Sequence, residues 1–196
     1  KRIIFNGNGY GEDWFKEAEK RGLLNLRTTP DALPQFIDEK NIELFTSHKV
    51  LTKTEMQSRY EIHLENYCKV LNIEANTMVS MAKKYIFPSV TAYIKDLSNT
   101  INEVKSAVPK ANVNAEQKLV EGLSKLVNLL YDDNNKLEEL SLTALNIQDL
   151  QKRADYYKDT VIPAMARVRS SADELELITA KKYWPMPTYG DLIYKV

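Results

Sequence analysis

Apolar residues recur through the middle of the chain at steps of three and four. From Met56 they run Tyr60, Leu64, Tyr67, Leu71, Ala75, Met78, Ala82 and Tyr85, and this spacing places them on one face of a helix. The pattern passes Pro88 and resumes at Tyr93, Leu97, Ile101 and Val104. Proline inside a helix costs about 3 kcal/mol and usually kinks it. The stretch therefore predicts one long kinked helix, or two stacked ones, ending before Pro109. "VPKANVN", Val108 to Asn114, reads as a turn. A second run follows through Leu119, Leu123, Leu126, Leu130, Leu137, Leu140, Ala144 and Ile147. It continues through Leu150, Ala154, Tyr157, Val161, Met165, Val168 and Leu175. "DDNN", Asp132 to Asn135, is its expected weak point, because Asp and Asn compete for helical backbone bonds. Pro163 is expected to kink the later part. Glu55 with Arg59, and Asp149 with Arg153, stand four apart in the favourable order and support the helical reading. Two long amphipathic stretches joined by a short turn fold back on each other, so the predicted fold is mainly α, an antiparallel helical hairpin or bundle.

The ends read differently. Between Thr52 and Thr179 only Pro88, Pro109, Pro163 and Gly122 interrupt, whereas the other glycines and prolines lie outside that span. Ile3 to Phe5 is a short apolar run with the look of one strand. Glu12 to Arg21 predicts a helix closed by Gly22 at C′, with Glu12 and Asp13 in its first turn and Lys20 and Arg21 in its last. Thr29, Pro30 and Asp31 make a helix start with proline at the first helical position. The tail "KKYWPMPTYGDLIYKV" carries Tyr183, Trp184, Tyr189 and Tyr194, and Pro185 and Pro187 predict an extended form. Three parts result: a junction segment over 1–51 with a short strand and short helices, a helical hairpin or bundle over 52–180, and an extended tail over 181–196.

Charge and composition narrow the function. Lys+Arg and Asp+Glu balance at 27 each in 196 residues, and the two signs are interleaved. A dedicated nucleic-acid binder needs a basic surplus to release counterions, so no nucleic-acid partner is expected. No basic segment abuts a hydrophobic anchor and no run approaches a membrane span, so no membrane partner is expected either. The single cysteine, Cys68, excludes an internal disulfide and a four-cysteine zinc site. A cytoplasmic location is the expectation. Lys1 stands where an initiator methionine would, so a chain cut from a longer one, or processed, is expected.

Few residues in the chain offer chemistry of their own. "GNGYG", Gly7 to Gly11, resembles a phosphate loop between an apolar run and a helix start. A P-loop needs Lys and Ser or Thr after its last glycine, whereas Glu12 and Asp13 follow here and would repel a phosphate. The spacing also misses the dinucleotide fingerprint G-x-G-x-x-G, so a turn or interdomain loop is expected. His48 and His63 lack the glutamate three residues earlier that a di-iron bundle requires, since Phe45 and Tyr60 stand there. Glu61 and Glu65 share a helical face from which His63 projects away. Cys68, beside the apolar stripe, reads as a packed or half-exposed side chain rather than a nucleophile. No G-x-S-x-G motif is present. The residues thus assign no catalytic, cofactor-binding or metal-ligating position. They leave open a helical protein-interaction module and, less well supported, a metal-dependent bundle enzyme.

Three long stretches carry a resemblance. "RIIFNGNGYGEDWFKEAEKRGLLNLRTTPDALP" resembles the segment that follows the catalytic core in type III glutamine synthetases. "ELFTSHKVLTKTEMQSRYEIHLENYCKVLNIEANTM" and "YWPMPTYGDLIYKV" are similar to the C-terminal region of the same family. Only the stretch from Lys105 to Asp133 reads as variable filler. The resemblance implies a parent enzyme, a ligase that joins glutamate and ammonia in nitrogen metabolism, using ATP and Mg or Mn through an acyl-phosphate. It implies a homo-oligomer, a double-ring dodecamer, and a catalytic core on the same polypeptide as a partner. The family's metal-binding glutamates and substrate-binding arginines sit in motifs upstream of this region, so no catalytic, cofactor or metal residue is carried over. The implied role is structural: helices that brace or join subunits, with no cofactor of their own and inactive in isolation.

Overall fold

The computed structural model describes residues 4–194. It divides into two units, 1–67 and 68–196. Among the described residues all regular structure is helical. Ile4 and Phe5, within the expected strand, have no regular structure, and Ile3 lies outside the described residues.

The first unit opens with α1, Glu12–Lys20. Its C-terminal end follows the sequence closely. Gly22 takes φ 72°, its N–H bonds Glu19 O, and Leu23 N–H reaches back to Ala18 O at 2.9 Å. Next, α2 spans Thr29–Phe36 and α3 spans Glu39–Ser47. The N-cap of α2 is Thr28, one residue before the expected start, so Pro30 is the second helical residue. The Thr28 hydroxyl oxygen accepts from Asp31 N–H and supplies the cap that Thr29 was expected to give. Phe36 and Phe45 meet with ring centroids 6.1 Å apart and join α2 to α3. Helix α4, Lys53–Met81, starts on a reciprocal cap. Glu55 Oε2 accepts from Thr52 N–H at 2.7 Å, and Thr52 Oγ1 accepts from Glu55 N–H. Glu55 is thereby drawn to the backbone. Neither it nor Asp149, which caps a later helix, closes an ion pair with the arginine four residues on. Arg153 donates instead to Ile147 O at 2.7 Å.

The second unit takes over within α4. A five-residue π-helical turn, Ala82–Ile86, leads into α5, Phe87–Ala107. After Pro109 the chain turns, and α6 runs from Asn114 to Leu145. It reverses again at Asn146–Asp149 into α7, Leu150–Tyr156. A second π-helical turn, Tyr157–Val161, leads into α8, Ile162–Ile178. The bundle therefore has three limbs, not the two of a simple hairpin, with α6 packed against both α5 and α8. The second reversal has a local signal, Asn146 closing one helix and Asp149 capping the next.

Both expected kinks are π-turns. Each ends two residues before a proline, at Ile86 for Pro88 and at Val161 for Pro163. A proline has no N–H and its ring collides with the carbonyl four residues back. Widening the turn to an i→i+5 bond, as from Phe87 N–H to Ala82 O, relieves the collision without breaking the helix. The extra residue shifts the apolar register. Ile86 is buried, while Tyr85, expected on the core face, is exposed. "DDNN" does not weaken α6, which runs unbroken through it. Asn134 is buried with the core stripe Leu130 and Leu137, and Asp133 pairs with Arg167 of α8 at 3.6 Å. Tertiary contacts override the poor local propensity. The tail is not extended throughout either: α9, Tyr189–Ile193, starts on a capping box between Thr188 and Asp191.

Candidate functional site

The most specific side-chain assembly fastens the tail to the bundle. Tyr93 and Asp96 lie three apart on α5 and so share a face. Beyond α8 the chain tightens into a turn, with Tyr183 N–H donating to Ala180 O at 2.8 Å. That turn lays the Tyr183 ring on Tyr93, centroids 5.1 Å apart. The Tyr183 hydroxyl donates to Asp96 Oδ2 at 2.7 Å, and Lys182 Nζ reaches the same oxygen at 3.2 Å. The Tyr183 bond, then Lys182, holds the Asp96 carboxyl below its usual range. The hydrogen bonds to Tyr183 and Asp96 push Lys182 up. Further on, Lys181 donates to Asp191 at 2.8 Å, and this bond with the Thr188 backbone and hydroxyl bonds holds Asp191 far below the ordinary carboxylate range. The tail thus latched forms one wall of a groove of about 420 Å³, with Met186, Pro187 and Leu192 facing Met78, Ile86 and Val168.

The positions singled out in the sequence are scattered. In "GNGYG" the Gly11 N–H closes a turn on Asn8 O at 3.1 Å, and the Asn8 side chain accepts from Tyr10 N–H. Gly11 then caps α1. Phe5 packs on Trp14, ring centroids 4.9 Å apart, beside this turn. His48 caps the end of α3, and His63 is exposed on α4. Glu61 accepts from Gln57 at 2.9 Å. Among the described residues no group of three or more His, Cys, Asp or Glu is gathered as metal ligands would be. Cys68 is buried, not half-exposed, near the fully buried Tyr157. The Tyr157 hydroxyl donates to Asn72 Oδ1 at 3.3 Å, and burial followed by Cys68 pushes its pKa up. Sequence reasoning missed Asp96 because its partners lie 86 and 87 residues away and no local pattern joins them. No helix among the described residues is long and apolar enough to cross a membrane.

These features define an all-α bundle domain closed by a fastened C-terminal segment. The sequence model of the family described as "Glutamine synthetase C-terminal domain" matches residues 1–105. Along 100% of its length the chain is 40% identical to a glutamine synthetase of Butyrivibrio fibrisolvens. It is 34% identical over 98% of its length to the type-3 glutamine synthetase of Dictyostelium discoideum, and 27% identical over 98% to a glutamine synthetase of Bacteroides fragilis. It spans 28% of the first relative's length and 27% of the other two. The chain belongs to the glutamine synthetase C-terminal domain family.

Proposed function

We propose that the chain serves as the C-terminal helical region of a type-3 glutamine synthetase and supports assembly of that enzyme. The parent would be a homo-oligomer that joins glutamate and ammonia with ATP and Mg or Mn. The observation that carries this reading is the end-to-end similarity to enzymes of which the chain spans little more than a quarter. On this reading residues 1–51 join the helices to a catalytic core on the same polypeptide, 52–180 form the bracing bundle and 181–196 the tail. Catalytic, cofactor and metal residues would lie on that core. Exposed apolar side chains on each unit taken by itself fit contacts with other protein: Leu23 and Leu24 after α1 in the first, and Leu177 at the end of α8 with Leu192 and Ile193 in α9 in the second.

The test is an assay of ATP-dependent glutamine formation. The 196-residue chain alone should give none, and the same chain joined to the remainder of the enzyme should give activity. Glutamine formation by the chain alone would overturn the proposal.

A further inference from the structure

We propose that the pocket between α2 and the first turns of α4 binds a small organic carboxylate with an apolar body. The pocket measures about 360 Å³, within the range that holds small ligands. It lies wholly inside the first unit. Its apolar lining comes from Ala32, Leu33 and Phe36 of α2 and from Leu51 just before α4. Its polar lining is Arg59 and His63, which stand one helical turn apart on α4 and therefore lie side by side.

Among the described residues no hydrogen bond or ion pair engages the Arg59 guanidinium or the His63 imidazole. Glu55, one turn earlier on α4, is an anion whose charge acts on Arg59. Its carboxylate is already occupied by the Thr52 N–H and hydroxyl, at 2.7 and 2.8 Å, and Arg59 is the weakest of the influences lowering its pKa. The α4 side of the lining thus presents a permanent cation with a planar fork of donors, matched to a carboxylate, and a second N–H donor beside it. Apolar side chains and donors together in one lining select a ligand that is anionic at one end and hydrophobic at the other. A neutral analogue would keep the apolar contacts and lose the charge-assisted bonds.

The probe pair is 4-phenylbutyrate and 4-phenylbutyramide, titrated into the 196-residue chain at low salt by calorimetry, with methyl NMR locating the site. The carboxylate should bind saturably, about tenfold tighter than the amide, and shift the Ala32, Leu33 and Leu51 methyls. Arg59→Gln, an exposed change that leaves the circular dichroism spectrum unaltered, should cut the preference below about twofold, and His63→Gln should reduce it in part. Equal affinity for the two probes would overturn the proposal. So would shifts confined to other methyls, a preference that survives Arg59→Gln, or binding of neither probe.

Discussion

The hydroxyl of Tyr183 donates to Asp96 at 2.7 Å and closes 87 residues of chain on a single carboxylate oxygen. Lys182 shares that oxygen and Tyr93 supports the ring. All the charged groups are exposed, so solvent screens them and the latch positions the tail more than it stabilises the bundle. Asp96→Ala should leave the melting temperature nearly unchanged while speeding amide exchange and proteolysis over residues 181–194. Equal exchange in variant and parent chain would show that the latch does not hold the tail.

The same latch should respond to acid. The folded-state pKa values of Asp96 and Asp191 are both depressed. The stabilisation is therefore present above the unfolded carboxylate value, about 3.9, and is lost as pH falls through the lower folded values. Exchange in the tail should be constant from neutral pH to about pH 5 and should rise relative to the α6 core below about pH 4, after correction for intrinsic rates. A rise already complete at pH 5 would assign the latch to other groups.

Tyr157 sits fully buried at the second π-turn. Tyr157→Ala should cost about 3–5 kcal/mol in urea unfolding, the range for emptying an aromatic site. Tyr157→Phe removes only the bond to Asn72 and should cost about 0.5–1.5 kcal/mol. Because burial raises its pKa, one of the chain's 11 tyrosines should resist ionisation in ultraviolet titration at about pH 10–11 and lose that resistance in Tyr157→Phe. The neutral form is the favoured one here. Its contribution is intact below the unfolded value, near 10, and fades as pH climbs toward the raised folded one.

Two polar groups on the core face of α6 have no hydrogen-bond partner, Asn134 Oδ1 and Ser141 Oγ. A buried unsatisfied group costs about 1–3 kcal/mol, so an apolar replacement of similar size should stabilise. Ser141→Ala and Asn134→Leu should each raise the melting temperature by roughly 2–4 °C per kcal/mol recovered. A fall in both variants would indicate water-filled, satisfied sites.

In the complete enzyme, truncation from Tyr183 should impair oligomer assembly, read by light scattering, more than helix content, read by circular dichroism. The buried stripes of α6 and α8 are formed by residues before Tyr183, so the helices persist without the tail while the groove over Ile86 and Val168 loses one wall. Unchanged assembly with lost helicity would contradict the proposed role.

The sequence by itself determined the helical class, several helix ends and the family. A three-and-four spacing has one structural solution at this length, and Gly22, Pro30 and Pro109 act on backbone groups within a few residues of themselves. Tyr85 was misplaced because periodicity assumes a constant rise, and the π-turn that Pro88 imposes adds a residue to one turn. Asp132 to Asn135 stayed helical because Asn134 lies in the buried stripe with Leu130 and Leu137, with Asp133 meeting Arg167 of α8 beside it, packing that leaves no local trace. Only the tertiary structure decided which carboxylate holds the tail, how α6 is shared by two partners, and that Arg59 and His63 line a pocket with apolar residues of α2. Those facts depend on residues brought together across tens of positions, where packing and geometry, not neighbouring sequence, select the partner.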